Sequence, residues 1–217
     1  MMDSARIAEL LAPFLGTNDL SAHLLEQVSA YLDRLMRWNQ RMNLTAVRDP
    51  EQIVTRHFGE SFFAATTLLG REDPAGKRAL DIGSGAGFPG LPIKIFAPAI
   101  SMRLIEAQHR KATFLREVIR DLGLKDCEVL AERAERLAEA EPCSADLVTF
   151  RAVERFQDVL PTAAQLTSNK GRIGLLIGRE QAANAATLLP SFDWEDEVPL
   201  PLSSSRLILI GRKRESG

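Results

Sequence analysis

The sequence predicts an α/β fold: a doubly wound, mostly parallel sheet that closes in an antiparallel C-terminal hairpin, with a helical appendage ahead of it. Three observations point there. Residues 78–94 read R-A-L-D-I-G-S-G-A-G-F-P-G-L-P-I-K, a short apolar strand that breaks into Gly83, Gly85, Gly87 and Gly90 and then into a helix. Downstream, apolar runs of strand length alternate with helical periodicity. Near the end, Trp194 to Val198 and Arg206 to Ile210 read as strands joined only by L-P-L-S-S-S. That link is too short to hold a crossover helix, so the two should pair antiparallel.

In chain order, Ile7, Leu10, Leu11 and Phe14 fall at helical spacing over Ala5 to Leu15, with Ser4 available as N-cap. Ser21 caps a longer helix whose apolar face includes Leu24, Val28, Tyr31, Leu35 and Trp38, ending near Arg41 to Asn43. A third helix opens on Asp49 as N-cap, Pro50 at the first helical position and Gln52 three residues past the cap, and runs to Leu69. Residues 70–77 (G-R-E-D-P-A-G-K) form a polar linker. Residues 1–70 are therefore expected to be a helical region and 71–217 the sheet domain. Within the latter the expected strands after the glycine loop are Met102 to Ala107, Cys127 to Ala131, Asp146 to Phe150 and Arg172 to Ile177. The expected helices are His109 to Leu122, stopped by Gly123, then Ala134 to Ala140, Phe156 to Leu166 and Gln181 to Leu189.

Glycine is required where the backbone takes positive φ or a ligand comes nearer than a Cβ allows. Four glycines straight after a strand favour a bound ligand. Gly85-x-Gly87-x-x-Gly90 matches a dinucleotide fingerprint as a bare pattern. Two neighbours disagree with a pyrophosphate: Asp81 puts a carboxylate at the strand's end, and Pro89 removes an N–H a phosphate would use. The order D-x-G-x-G-x-G resembles the S-adenosyl-L-methionine loop of Rossmann-like methyltransferases, whose cofactor carries an ammonium and a sulfonium and no phosphate. A parallel sheet ending in an antiparallel hairpin is likewise the seven-stranded class I methyltransferase layout.

Ligands of such sheets lie outside the carboxyl ends of the strands, which singles out further positions. Glu106 ends the second strand and could accept both hydrogen bonds of a ribose diol; otherwise it is a solvated strand end. Ala134 and Glu135 follow the third strand where an adenine edge would lie, or are simply a helix start with a dipole-matched acid. Arg151 ends the fourth strand, facing where substrate and methyl donor should meet. It could hold a phosphate, stack on a base, or pair with Asp81 or Glu106.

With 217 residues, 45% hydrophobic and 26% charged, the chain is of ordinary globular composition. Its apolar runs are far shorter than a membrane span and its start lacks a signal peptide's basic region, so a cytoplasmic protein with no membrane association is expected. Cys127 and Cys143 lack metal spacing and read as reduced thiols; no metal is expected. A net charge of −2 does not advertise a nucleic-acid binder, so any RNA contact must come from local patches. Candidates are Arg34, Arg37, Arg41, Arg48 and Arg56 on the appendage, and Arg110 and Lys111 beside the sheet.

W-N-Q-R-M-N-L-T-A-V-R-D-P (38–50), R-H-F-G-E-S (56–61), the glycine loop, E-A-Q-H-R-K-A-T-F-L (106–115) and the R-A pair at Arg151 together resemble the bacterial glucose-inhibited division protein B family. Its members transfer a methyl group to N7 of a guanine in 16S ribosomal RNA. The resemblance covers nearly the whole chain and implies cofactor contacts at Gly83, Phe88, Ala134, Glu135 and Arg151. Glu60 stands where the family usually has aspartate, and Phe150 where a serine commonly precedes the arginine, which removes any hydroxyl role there. The expected reading is thus methyl transfer from S-adenosyl-L-methionine to 16S ribosomal RNA or the small subunit. Cofactor contacts fall to Asp81, Gly83, Gly85, Phe88, Glu106, Ala134, Glu135 and Arg151, the last also catalytic. Guanine N7 is unprotonated, so no general base is expected and His57 more naturally bridges the appendage to the sheet domain. The alternatives are a methyltransferase for another RNA or a small metabolite, and a nonenzymatic ribosome-assembly factor.

Overall fold

The computed structural model describes residues 2–15, 20–70, 72–151 and 155–214. Arg71 of the linker and Ala152 of the R-A pair lie outside them. Helices α1 (Ser4–Leu15) and α2 (Ala22–Asn39) come first, α2 capped by Ser21, whose side chain accepts from the Leu24 amide. The third helix begins as expected, with Asp49 Oδ1 accepting from the Gln52 N–H at 2.8 Å and Pro50 in first place. It is not regular to its end. Between α3 (Pro50–Ile53) and α4 (Glu60–Leu69) the segment Val54–Gly59 winds as a π-helix, a form concentrated at functional sites. That wider turn carries His57.

The strands are β1 (Arg78–Ile82), β2 (Ser101–Ile105), β3 (Cys127–Leu130), β4 (Ala145–Arg151), β5 (Thr167–Gly178), β6 (Phe192–Trp194), β7 (Val198–Pro199) and β8 (Arg206–Lys213). They form one sheet of order β3-β2-β1-β4-β5-β8-β6, with β7 also on β8. The first five run parallel; β8 is antiparallel to β5 and slots between it and β6. The expected single strand Trp194 to Val198 is split: the Glu195 N–H still donates to Ile210 O of β8 (2.9 Å), but Asp196 and Glu197 leave the ladder before β7, where Pro199 has no N–H to give it. Strand β5 starts five residues earlier than its apolar run suggests, through the irregular S-N-K-G segment. Helices α5 (Gly90–Phe96), α6 (His109–Asp121), α7 (Ala134–Ala140), α8 (Phe156–Leu166) and α9 (Arg179–Leu188) complete the winding.

Strand alternation sorts the core into two layers. Met102, Leu104, Leu147, Leu176, Ile208 and Ile210 face the appendage, α5 and α6; Ile105, Val148, Leu175, Leu207 and Leu209 face the α7–α9 side. The appendage therefore shares a core with one sheet face. Leu68 of α4 sits where a Cβ on Gly174 of β5 would be, 2.5 Å from its Cδ2. Packing the appendage there brings α2 and the π-turn to the carboxyl ends of β1 and β4.

Candidate active site

The glycine loop leaves β1 with Gly83, Gly85 and Gly87 at φ of 64°, 55° and 91°. A Cβ on Gly85 would meet only Gly83 O, at 3.7 Å, so this position opens onto free space and needs glycine for its left-handed backbone. Gly87 and Gly90 answer to packing instead: a Cβ on Gly87 would strike Tyr31 Oη, and one on Gly90 would lie 2.8 Å from Asp81 Cβ. Three braces fix the loop. Ser84 N–H donates to Ile105 O (3.0 Å), Gly85 N–H to Glu106 Oε2 (2.9 Å), and buried Tyr31 of α2 donates its hydroxyl to Ala86 O.

Two acids behave differently from expectation. Asp81 does not reach the loop's open side. It is fully buried among Thr149, Leu104 and Gly90, accepting from Thr149 Oγ1 at 2.9 Å, because strand alternation turns position 81 into the α5 layer. Burial pushes its carboxyl up to about 7, against the pull of the Thr149 hydroxyl, and its Oδ2 is buried without a hydrogen-bond partner. Glu106 is also buried, and its oxygens take the Gly85 and Gln108 amides, so its visible work is to brace the loop from the neighbouring strand.

Two crevices meet at Gly83. One, of about 200 Å³, is lined by Ile105, Ala107, Ala134 and Glu135 at the start of α7. The other, of about 280 Å³, is lined by Gly85, Phe88, Thr45, His57, Lys111 and Arg151. Gly83, Gly85, Phe88, Ala134, Glu135 and Arg151 thus line these two crevices, while Asp81 and Glu106 line neither space. Phe88 is locked by the appendage: its ring stacks parallel on Tyr31 at 5.4 Å and meets Phe58 edge-on at 5.0 Å.

Arg151 pairs with neither Asp81 nor Glu106. Its Nη2 donates to His57 Nδ1 (3.0 Å) and faces Glu60 Oε2 (3.4 Å), and its Nη1 is buried without a partner. An arginine cannot accept, so His57 Nδ1 is the acceptor and Nε2–H donates to Thr45 Oγ1 (2.7 Å). Burial first, then the charge of Arg151, lowers the His57 pKa to about 3. The ring is neutral with both nitrogens used, which suits a bridge between appendage and sheet. Glu60, 2% exposed, is held from its other side by Arg206 Nη2 of β8 at 2.5 Å. By sequence Glu60 shows only as a departure within R-H-F-G-E-S, and nothing local links it to His57, Arg151 or the β8 arginine.

The basic candidates divide. Arg34 spans from α2 to Glu117 (3.1 Å) and Asp121 of α6. Arg48 is spent on Asn39 O (2.9 Å) and Asn43 Oδ1 (2.6 Å). Arg37, Arg41 and Arg110 instead surround a crevice of about 540 Å³ with Trp38 and Met42, and Arg41, Arg110 and Lys111 share an adjoining one of about 500 Å³. No side-chain partner holds these four cations among the described residues. Lys111 borders the Arg151 crevice as well, so the basic groove runs into it. Among the described residues no group of three or more His, Cys, Asp or Glu could hold a metal ion, and no helix is long and apolar enough to cross a membrane.

A family model described as "GidB: rRNA small subunit methyltransferase G" matches residues 24–205. The Syntrophotalea carbinolica protein named ribosomal RNA small subunit methyltransferase G is 34% identical over 220 residues, covering 98% of both chains. The Xylella fastidiosa protein of that name is 37% identical over 188 residues, covering 85% of each. Among solved structures, an Aquifex aeolicus SAM-dependent methyltransferase superposes with a TM-score of 0.59 at 15% identity, over 84% of this chain and 98% of that one. The Rossmann-like methyltransferase fold is shared.

Proposed function

The chain belongs to the rRNA small subunit methyltransferase G (GidB) family, and from that premise we propose that it methylates N7 of a guanine in 16S ribosomal RNA, as a cytoplasmic enzyme acting on RNA or on the small subunit. One observation carries the reading beyond the family: the open glycine loop and the buried Arg151 line a crevice that runs, through Lys111, into an unpaired basic groove.

The residues fit S-adenosyl-L-methionine. Gly85 leaves its ligand side bare, and the Arg151 Nη1 donor, buried without a partner, seeks an acceptor. Gly83, Gly85, Phe88 and Arg151 would hold the amino-acid portion, and Ala134 and Glu135 the adenosine side. When bound, the cofactor supplies an electrophilic methyl group on a sulfonium. The chain's own contribution is placement. Phe88 and Tyr31 keep one wall apolar and dry, Glu106 braces the loop, and Arg151 orients the base. Guanine N7 offers a lone pair and no proton, so the site needs no base, and His57, neutral and doubly bonded, does not supply one.

The test is transfer of labelled methyl from the cofactor to 16S RNA, free and in small subunits, followed by mapping of the labelled nucleotide. Label on N7 of one guanine, lost in Gly85→Val, is the expected result. Label on another atom would overturn the N7 assignment, and tight cofactor binding with no transfer to either substrate would overturn the enzyme.

A further inference from the structure

We propose that Glu60, fastened by Arg206, is a positioning residue for methyl transfer: it clamps one nitrogen of Arg151 so that the other is presented to the crevice. This rests on the methyl-transfer reading above. His57 Nδ1 accepts from Arg151 Nη2 at 3.0 Å, and Glu60 Oε2 faces the same nitrogen at 3.4 Å as an ion pair without a hydrogen bond, so charge and hydrogen bond act on one tine of the fork. Nη1 is left with no partner inside the protein although it is fully buried. A guanidinium is a planar fork, so fixing one tine fixes the direction of the other. Glu60 in turn cannot drift, because Arg206 holds its second oxygen at 2.5 Å.

The same three side chains come from three places: α4 of the appendage, the end of β4, and the start of antiparallel β8. A single carboxylate, 2% exposed, thus stands between two arginines, with the charge of Arg56 also felt at Arg151. Removing its charge leaves the largely buried Arg151 and the half-buried Arg206 without the carboxylate between them, and Arg151 is then held by His57 alone. Glu60 touches neither crevice; it acts only through Arg151.

The experiment is a double-mutant cycle read by single-turnover methyl transfer at saturating cofactor and small subunit, with cofactor affinity and melting temperature measured beside it. Glu60→Gln should slow the transfer step by about tenfold or more while cofactor affinity falls less. In an Arg151→Ala background the same change should do nothing further. Glu60→Asp, which keeps the charge on a shorter arm, should recover part of the rate. Arg206→Gln leaves Glu60 charged but unfastened and should slow transfer in the same direction by a smaller factor; it carries the test if Glu60→Gln does not fold. A normal rate with a lowered melting temperature would reduce the triad to a staple and overturn the proposal, as would effects of Glu60→Gln and Arg151→Ala that multiply. A wild-type protein that methylates no ribosomal RNA would overturn the methyl-transfer reading and this inference together; an active wild type with a multiplicative cycle would overturn this inference alone.

Discussion

At the scale of single residues, His57 links the acid stability of the fold to the geometry of its site. Its folded pKa of about 3 lies below the ordinary 6.5, so the folded state binds fewer protons than the unfolded chain in between. The stabilisation is therefore complete above pH 6.5 and is lost as pH falls from there toward 3. His57→Gln can keep an acceptor for Arg151 and a donor for Thr45 without titrating. Its unfolding free energy should fall less steeply than wild type between pH 6.5 and about pH 5, above the range where most carboxylates protonate. Denaturant titrations across that window check this; parallel curves would show that His57 is not buried neutral. The pH–rate profile of the transfer step should keep both limbs in this variant, since no proton passes through the ring. Arg151→Ala should instead lower the single-turnover rate more than it weakens cofactor binding, the signature of an interaction that matters most in the transition state. Near-normal turnover at saturation would refute that role.

Between elements, the decisive contact is α2 against the glycine loop. The Tyr31 hydroxyl satisfies the Ala86 carbonyl in a place closed to water, and its ring backs Phe88. Tyr31→Phe keeps the ring and orphans the carbonyl, so about 1–3 kcal/mol of stability should be lost, with cofactor affinity reduced several-fold as the loop loosens. Chemical denaturation and calorimetry on the same variant test both parts; unchanged affinity would separate loop order from binding. None of this contact is visible in sequence, where Tyr31 is one member of a helical stripe. What could be read were signals that act within a few residues: the Ser21 and Asp49 caps, the Gly123 stop at φ 63°, and the alternation of strand and helix. The π-turn at Val54–Gly59 and the splitting of the last edge strand depend on packing across the chain, and they were not legible.

Across the whole molecule, the strand-end rule pointed to the crevices around Gly83 but not to the orientation of the acids beside them. It singled out Ala134 and Arg151, which line the two crevices that meet at Gly83, yet it could not say that Asp81 turns into the α5 layer or that Glu106 spends its oxygens on the loop. The same limit governs charge. The seven basic candidates looked alike in sequence, and only the fold sets Arg34 against Glu117 and Asp121 and folds Arg48 back on its own loop. Arg37, Arg41 and Arg110 line a crevice and have no side-chain partner among the described residues. Salt dependence distinguishes the two groups, because each phosphate contact releases counterions and steepens the fall of affinity with salt. Changing Arg37, Arg41 and Arg110 together to alanine should flatten the slope of log affinity against log salt by roughly 2, at about 0.7 per contact for single-stranded RNA. Changing Arg34 and Arg48 together should leave the slope in place and instead cost stability, of the order of 1 kcal/mol for the half-exposed α2–α6 pairs. Cofactor affinity should stay level in both variants, since none of the five lines the Gly85 crevice. If the second variant flattened the slope as much as the first, the internal ion pairs would have to open on RNA binding, and the groove between α2 and α6 would be a clamp rather than a fixed track.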